Sequence, residues 1–302
     1  MDMAAREAKV EKQSQRGIER RRTIRIRRSA LIRDNLDDID RPSMKIAETL
    51  EELEQAFRIV YREYRAAGYV KDSDPHQMLY SVYSLLPTAS VFVFKSYLDV
   101  ISTMSLYKDT RVFGLPMDAV YKPELDELRA QGHRVAEIGA LATPKNRRWA
   151  NLVVYLAKAL FHYAHLVDVD YACIMVNPKH VRFYKEIFLF EEMAEERMYE
   201  AVGAPAVALY ANVHTYDQRM LDAYGGEDFE TDLLSFFVKM KNSIMDPSLT
   251  YPVDNDKPLD QSIICSLLEK RPTILEGLTE EQIQVLTYLY PEAVRCAKAP
   301  RH

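Results

Sequence analysis

Glycine, cysteine and long apolar segments are scarce in this sequence, and each shortage narrows the class of protein. The 302 residues include 9 glycines and 3 cysteines. The cysteines are widely spaced without a CxxC pair, which fits buried free thiols in a reducing compartment; they are Cys173, Cys265 and Cys296. No apolar run approaches the roughly 18–20 residues that a membrane helix needs. The composition is instead that of a globular protein, with 48% hydrophobic residues.

A basic N-terminal segment contrasts with an acidic remainder. Residues 1–34 contain eleven Lys and Arg against five Asp and Glu, although the net charge of the chain is −5. The segment lacks the apolar core of a signal peptide, so we expect a cytoplasmic protein. We interpret residues 1–43 as a flexible basic arm or as a contact with an anionic membrane surface. The acidic remainder argues against a nucleic-acid-binding protein.

The apolar pattern alternates between helical and strand-like periods. Thr49 stands three residues before Glu52, a capping-box spacing that predicts the start of a helix. Two β-branched and aromatic runs at 91–94 and 100–107 predict a hairpin. A short helix from Pro123 to Arg129 follows. The pattern then predicts a strand over 134–143, a long helix capped by Asn146, a strand over 171–176, a helix from Pro178 to about Ile187, and strands near 193–200 and 206–213.

This order of elements predicts an α/β (α+β) fold with a mixed sheet and helices on both faces. We assign it to residues 44–216. Residues 217–302 have helical periodicity and predict a helical C-terminal extension. Capping of the sheet, dimerisation and lengthening of a substrate tunnel are all open as roles for this extension.

A single acid, Glu137, interrupts the apolar strand over 134–143. Strand alternation predicts two faces, with Val135, Glu137, Gly139 and Leu141 on one and Ala136, Ile138, Ala140 and Ala142 on the other. Burying a carboxylate there is costly unless it has a partner or a use, and the loss of water raises its pKa toward neutrality. Glu137 is therefore either a general base for an amine or a structural carboxylate that faces solvent or pairs with Arg134.

The motifs between residues 115 and 187 resemble the core of the GNAT acyltransferases. They are Leu115-Pro116-Met117-Asp118, Arg134-Val-Ala-Glu-Ile-Gly-Ala-Leu-Ala-Thr143, Cys173-Ile-Met-Val-Asn-Pro178 and His180-Val-Arg-Phe-Tyr-Lys-Glu-Ile187. Within that superfold the chain is most similar to the long-chain N-acyl amino acid synthases, relatives of the acyl-homoserine-lactone synthases, over residues 44–213. The resemblance implies a mostly antiparallel sheet and the transfer of a medium- or long-chain acyl group to the amine of an amino acid.

The resemblance also implies roles for individual residues. Glu137 corresponds to the central-strand glutamate that lies near the acceptor amine, and Tyr184 to a tyrosine that protonates the leaving thiolate. The other possibility for Tyr184 is a core aromatic with a satisfied hydroxyl. Asn177 corresponds to a position near the pantetheine arm. The arginine that lactone synthases carry three residues after the glutamate is Ala140 here, which argues against homoserine-lactone chemistry.

The missing glycines bear on the acyl donor. The chain has no glycine between Gly139 and Gly203, whereas GNAT enzymes that use coenzyme A hold its pyrophosphate on a glycine-rich turn at a helix N-terminus. The turn over residues 143–149 carries cations instead, and these are Lys145, Arg147 and Arg148. Such cations suit an acidic acyl carrier protein, unless they form an ordinary basic turn. We therefore expect acyl-phosphopantetheine on a carrier protein as co-substrate, rather than acyl-coenzyme A, and no tightly bound cofactor.

We expect the pantetheine to bind where two strands part, around Leu141 and Cys173. Backbone N–H groups of Leu141, Ala142 and Thr143 would polarise the thioester carbonyl. The sequence shows no cluster of metal ligands, so we expect no metal. A coenzyme A-dependent GNAT acetyltransferase and a non-catalytic GNAT-shaped binding scaffold are the alternative functions.

Overall fold

An eight-stranded sheet forms the centre of the computed structural model, which describes residues 39–70, 74–145, 152–225, 236–237 and 256–298. The strands are β1 (Pro42–Ile46), β2 (Ala89–Ser96), β3 (Asp99–Lys108), β4 (Val135–Ala142), β5 (Tyr171–Val176), β6 (Glu191–Glu192), β7 (Arg197–Tyr199) and β8 (Ala204–Asn212). The helices are α1 (Leu50–Ala66), α2 (Asp118–Ala130), α3 (Leu152–Leu166), α4 (Pro178–Ile187), α5 (Tyr216–Tyr224), α6 (Gln261–Lys270), α7 (Glu280–Leu289) and α8 (Pro291–Lys298).

The sheet is mostly antiparallel, as predicted. Its strands lie in the order β1-β2-β3-β4-β5-β8-β6, and β7 pairs with β8 beside β6. Among the described strands, β4 and β5 are the parallel neighbours, and α3 makes the crossover between them, as a parallel pair requires. The predicted fold class, a mixed α/β sheet flanked by helices with further helices at the C-terminal end, is confirmed.

The predicted helix starts are confirmed at α1 and α4. Thr49 caps α1, since its hydroxyl accepts a hydrogen bond from the backbone N–H of Glu52 at 3.2 Å. The carboxylate of Glu52 accepts from the backbone N–H of Glu48 rather than from Thr49, so the capping box is only half formed. Helix α2 begins at Asp118, before the predicted start at Pro123, because a kink at Tyr121 joins an extra turn to the helix. The predicted cap of α3, Asn146, lies outside the described residues.

A β-bulge interrupts β4 next to Glu137. Gly139 pairs with Ser105 and Ala142 with Thr103, so three residue steps on β4 match two on β3. Ala140 lies within the bulge and has a φ of +47°, a left-handed conformation that is uncommon for any residue with a Cβ. An extra residue of this kind bends the strand and breaks its alternation.

The bulge makes the predicted alternation of β4 wrong for its last three residues. Leu141 packs with Ala136 and Ile138 on the face opposite Glu137. Ala140 and Ala142 contact the apolar cluster on the Glu137 face. The prediction holds for the regular part of the strand, where Glu137 and Gly139 share one face.

Apolar clusters cover both faces of the sheet. Helices α3, α4 and α5 pack on one face, through buried side chains such as Leu160, Ile187 and Met220. Helix α1 and the C-terminal helices pack on the other, which is the face of Glu137, through residues such as Phe57 and Leu267. Burial of these two layers is the main source of stability for a sheet of this kind.

The C-terminal helices are tied to the segment between α1 and β2 by hydrogen bonds as well as by apolar contacts. The hydroxyl of Tyr80 donates to the carbonyl of Leu267 at 2.7 Å, and the hydroxyl of Tyr290 donates to the carbonyl of Leu85 at 2.8 Å. Both hydroxyls are buried in the interface, where an unmade hydrogen bond would be costly. In the ranges that the structure describes, no helix has both the length and the hydropathy of a membrane-crossing segment.

Candidate active site

The sheet opens between β4 and β5. Their paired residues run from Val135 and Tyr171 to Ile138 and Ile174. Beyond that point β4 continues against β3, while β5 continues against β8. The two strands therefore part, and their diverging ends leave a gap in the middle of the sheet. Cys173 lies in the paired part of β5, whereas Leu141 lies in the diverging part of β4.

A cavity of about 920 Å³ extends from this gap over one face of the sheet. The diverging strand ends contribute Gly139 and Ala140 on one side and Met175 and Val176 on the other. Helix α1, the segment that follows it, the loop between β7 and β8, and the end of α6 form the remaining walls. The volume is in the range of cavities that hold small organic ligands.

Glu137 lies in the wall of this cavity and is 4% exposed. Its Oε2 accepts a hydrogen bond from the backbone N–H of Met117 at 2.7 Å, while Oε1 makes no hydrogen bond to a described residue. Burial raises the pKa of Glu137 to about 8, the bond from Met117 opposes the rise, and Asp118 adds to it. A carboxyl group with this pKa exchanges a proton readily near neutral pH.

Neither structural alternative for Glu137 is what the structure shows. The side chain does not face solvent, and Arg134 instead contacts Asp170 and Asp168, with its Nη2 3.1 Å from Asp170 Oδ1. The predicted burial of Glu137 and the direction of its pKa shift are confirmed. Its catalytic role stays a prediction.

The turn that donates to Glu137 is held rigidly. Arg129 forms an ion pair with Asp118 at 2.7 Å and another with Asp109 at 2.6 Å. Asp118 also accepts from the backbone N–H of Leu115 at 2.7 Å. The Leu115-Pro116-Met117-Asp118 motif therefore presents the N–H of Met117 to the carboxylate in one fixed geometry. The motif can be identified from the sequence, but its hydrogen bond to Glu137 follows only from the fold.

Tyrosines surround the carboxylate. Burial raises the pKa of Tyr83 to about 12, with a further contribution from Glu137. Burial and the charge of Glu137 also raise the pKa of Tyr64, Tyr107 and Tyr199. These four phenols are therefore near the carboxylate and protonated at neutral pH. They make the site polar without adding a charge.

Tyr184 packs on the face of the sheet opposite Glu137 and is not among the described residues that line the cavity. Its ring packs against Phe188 and Phe190 on the α4 side. Burial raises its pKa, and Tyr184 in turn contributes to the raised pKa of Tyr64 on the Glu137 side. Its hydroxyl makes no hydrogen bond to a described residue, so the satisfied core hydroxyl that was the alternative is not observed there.

The predicted pantetheine residues divide between the wall of the cavity and the strand end beside it. Leu141, Ala142 and Thr143 lie at the bulge and after it and are not among the described residues that line the cavity. The carbonyl of Ala142 accepts from the hydroxyl of Ser102 at 3.2 Å. Asn177 does line the cavity. Its side chain caps α4 by accepting from the backbone N–H of Lys179 at 3.3 Å, which is a structural use of the amide oxygen.

The predicted carrier-protein residues lie at the edge of what the structure describes. Lys145 is exposed, while Arg147 and Arg148 lie outside the described residues. The described part of this segment ends at Lys145. Within the described ranges, no group of three or more His, Cys, Asp or Glu side chains is placed to hold a metal ion.

The cavity also includes residues that the sequence did not single out. Helix α1 supplies Tyr64, and the end of α6 supplies Lys270 and Arg271. Helical periodicity identified both segments as helices, but it carries no information about which distant strand each helix covers. A cation immediately after a C-terminal helix is common on any surface, so no sequence signal distinguished Arg271.

Comparisons with known proteins agree with this geometry. Residues 55–212 match the sequence profile of the N-acyl amino acid synthase FeeM family. The structure of FeeM, an N-acyl amino acid synthase from uncultured soil microbes, aligns with 28% identity and a TM-score of 0.52 over 59% of this chain and 94% of FeeM. No curated protein sequence matches the chain.

Two acyl-homoserine lactone synthases align at lower similarity. BjaI, a coenzyme A-dependent enzyme, has 14% identity and a TM-score of 0.47 over 68% of this chain and 92% of its own. LasI has 15% identity and a TM-score of 0.46 over 61% of this chain and 95% of its own. The FeeM profile spans the gap, Glu137 and Tyr184. The chain belongs to the N-acyl amino acid synthase FeeM family and is an acyltransferase.

Proposed function

We propose that the protein transfers a medium- or long-chain fatty acyl group from the phosphopantetheine thioester of an acyl carrier protein to the amino group of an amino acid. The observation that carries this proposal is Glu137, a carboxyl group with a pKa of about 8 in the wall of a cavity that reaches the gap between β4 and β5. An amine nucleophile needs a base of this strength, and the family to which the chain belongs makes N-acyl amino acids.

In the proposed mechanism, Glu137 accepts the proton of the acceptor amine. An amino acid arrives as an ammonium ion, and its positive charge lowers the pKa of the nearby carboxyl, so the carboxylate forms as the substrate binds. Once the nitrogen is neutral it attacks the thioester carbonyl. The C–N bond forms, the C–S bond breaks, and the thiolate leaves.

In this proposal Tyr184 protonates that thiolate. Burial raises its pKa and keeps the phenol protonated at neutral pH, so it holds a proton that it can donate as the C–S bond breaks. The tyrosinate that remains is neutralised by the proton that Glu137 took from the amine. In becoming an amide nitrogen the ammonium gives up two protons. The first, which Glu137 takes before the attack, ends on the thiol by way of Tyr184, and the second, lost from the nitrogen after the attack, is released to water, so protons and electrons balance over the cycle.

The donor preference depends on the turn after β4. Residues 143–149 contain no glycine, so the turn offers little room for the pyrophosphate of coenzyme A. Lys145 is exposed there, and Arg147 and Arg148 follow in the sequence. An acidic carrier protein would be attracted by these charges and would need to insert only its phosphopantetheine arm.

The product test uses purified protein with decanoyl- and hexadecanoyl-acyl carrier protein and a mixture of the proteinogenic amino acids. We expect N-acyl amino acids by mass spectrometry and stoichiometric release of carrier-protein thiol. The Glu137→Gln variant is the control. Thiol release without an N-acylated product, or equal product from the variant, would contradict the proposal.

The donor test compares acyl-carrier-protein with acyl-coenzyme A of the same chain length. We expect a much higher kcat/KM for the carrier-protein thioester. Arg148→Glu should raise its KM, and less so at high salt, because the attraction is screened. Arg62→Glu, a charge reversal on the exposed side of α1, is the matched control. Equal efficiency with coenzyme A would remove the carrier-protein part of the proposal.

A further inference from the structure

A second charged group faces the cavity from the C-terminal helices. Arg271 directly follows α6 and lines the same cavity as Glu137. Its Nη1 donates to the carbonyl of Met78 at 3.3 Å, and its guanidinium carbon lies 5.8 Å from the centre of the Tyr80 ring. These contacts hold the guanidinium against the wall of the cavity, and most of its N–H donors make no hydrogen bond to a described residue.

The guanidinium forms no ion pair with a described residue. The adjacent Lys270 also lines the cavity, but its ammonium is paired with Glu54. The acids in the cavity wall are Asp74, Glu137 and Glu200. Asp74 accepts from the backbone N–H of His76 at 2.8 Å, and Glu200 is exposed. Among the described residues of the cavity wall, therefore, none pairs with the positive charge of Arg271.

An amino acid substrate carries two charged groups, and the proposed reaction consumes only one of them. Glu137 receives the ammonium group, whereas the α-carboxylate takes no part in the chemistry. Moving a carboxylate into a cavity lined by tyrosines and apolar side chains is costly without a cationic partner. The planar guanidinium fork matches a carboxylate with two parallel hydrogen bonds.

We propose that Arg271 binds the carboxylate of the acceptor amino acid and so selects amino acids over simple amines. This inference rests on the proposed function, since it assumes that an amine is acylated at Glu137. It adds a specificity-determining residue from a segment beyond the residues that the FeeM profile matches. The C-terminal helices would then form part of the binding site as well as cover the sheet.

A phosphate group is the other oxyanion that a guanidinium could bind here. The phosphopantetheine arm carries one, and its expected position is along the turn that follows β4. Arg271 lies instead beside Met78 and Tyr80, on the face that α1 covers. The observations therefore favour the acceptor carboxylate over the donor phosphate, and kinetics separate the two.

The test compares each of several L-amino acids with its own carboxamide as acceptors of a hexadecanoyl group from acyl carrier protein. The wild-type protein should favour the free acid, and Arg271→Gln should reduce that preference by roughly 10- to 100-fold, the worth of hydrogen bonds to a charged group. The change should appear in the KM for the acceptor, with the KM for the thioester unchanged. Arg271→Lys should keep part of the preference.

Arg58→Gln is the control, because it removes one positive charge from the exposed side of α1. It should keep the full preference for the acid. The ratio of acid to amide is measured within one preparation, so partial unfolding of a variant does not affect it.

An acid preference that survives in Arg271→Gln would overturn the inference. So would a raised KM for the thioester, which would assign Arg271 to the phosphate. If the wild type acylates amides as well as acids, the inference falls and the N-acyltransferase function stands. If it acylates neither, the proposed function falls with it.

Discussion

Two buried glutamates, Glu52 and Glu137, lie on the same face of the sheet and have opposite pKa shifts. Glu52 is 6% exposed and Glu137 is 4% exposed, but the carboxyl group of Glu137 lies deeper in the protein. Glu52 lies 2.6 Å from the ammonium of Lys95 and 3.4 Å from that of Lys45, whereas no cation of the described residues pairs with Glu137. Burial alone raises the pKa of Glu52, but the bonds from Lys95 and Glu48 and the charge of Lys45 outweigh it.

Depth of burial and charged partners together decide the pKa of each carboxyl group. Glu52 remains ionised and fixes β1 and β2 to the start of α1. Glu137 retains a single backbone donor and a pKa near neutrality, at the cost of stability whenever it ionises. The lysines beside Glu52 compensate the cost of burying its charge. The single bond from Met117 does not compensate that cost at Glu137, so the pKa of Glu137 lies near neutrality, where a group can transfer protons.

The largest expected effect is the loss of activity in Glu137→Gln. The amide keeps the volume of the side chain and an acceptor for Met117, but it cannot take the amine proton. Turnover should fall by roughly 10²–10⁴-fold, the usual contribution of a general base. In the wild type, kcat/KM should rise with pH to a midpoint near 8, the pKa of Glu137, and the variant should lack that ionisation.

The same variant should gain stability at high pH although it loses activity. The pKa of Glu137 is higher in the folded protein than in the unfolded chain, so folding favours its protonated form. The resulting stability is fully present below about pH 4.5, the ordinary value, and is lost as pH rises through about 8. Glu137→Gln should therefore be the more stable protein above pH 8. Chemical denaturation at pH 5 and pH 9 measures this, and a variant that loses more stability at pH 9 than at pH 5 would show that Glu137 acts as a structural anion.

Tyr184→Phe should have the next largest effect on turnover. Removing the hydroxyl deletes the proposed proton donor while the ring keeps its contacts with Phe188 and Phe190. Because a thiolate is already a fairly good leaving group, we expect about a 10²-fold loss, at the low end for acid catalysis. A donor with a more acidic thiol should recover part of the loss. Phe183→Leu, an aromatic change in the same cluster, is the control, and full activity of Tyr184→Phe would assign the tyrosine to the core.

Glu52→Gln should affect stability and leave the chemistry unchanged. The variant leaves Lys95 and Lys45 without their carboxylate, which should lower the free energy of unfolding by about 1–3 kcal/mol at neutral pH. The pKa of Glu52 is lowered by folding, so its contribution is present above about pH 4.5 and is lost as pH falls through the folded pKa. The difference from the wild type should therefore shrink in acid. We expect the folded fraction to have the kcat of the wild type. A large fall in kcat would contradict the assignment of Glu52 to stability alone.

The smallest effect is expected for Gly139→Ala, which tests how closely the site is packed. A Cβ at Gly139 would lie 3.0 Å from Cε2 of Tyr107, so the ring must shift by a few tenths of an ångström. We expect a loss of about 1 kcal/mol in stability and a measurable change in the pH profile, since Tyr107 is near Glu137. Gly68→Ala is not a matched control because of its positive φ. Ala136→Gly, on the other face of β4, is a better control. An unchanged pH profile in Gly139→Ala would show that Tyr107 does not influence the ionisation of Glu137.

Local patterns in the sequence predicted most of the fold and the first part of the site. The cap at Thr49, the hairpin and the strand with one acid all depend on residues close together in the chain. The bulge at Ala140 could not be predicted, because counting alternate residues assumes a regular strand. The residues from Ala140 to Ala142 were therefore assigned to the wrong face of the strand.

The remainder of the site depends on contacts between distant parts of the chain. Asn177 was linked to the pantetheine arm, and its side chain also caps α4, which a helix starting at Pro178 could have suggested. The positions of Tyr64 and Arg271 follow from the packing of two helices on one face of the sheet. Helical periodicity shows that such a face is apolar but not which strand it covers.

The apolar interface between the C-terminal helices and the sheet bears on how the chain tolerates shortening. Leu267, Leu286 and Val294 are buried against residues of α1 and the segment that follows it. A chain that ended with the family core at residue 212 would expose Phe57 and Leu85, and it would leave the Tyr80 hydroxyl and the Leu85 carbonyl without their buried partners. Contiguous apolar surface of that kind promotes self-association. Nonsense mutations late in the gene would therefore be expected to produce aggregated protein rather than a smaller active enzyme.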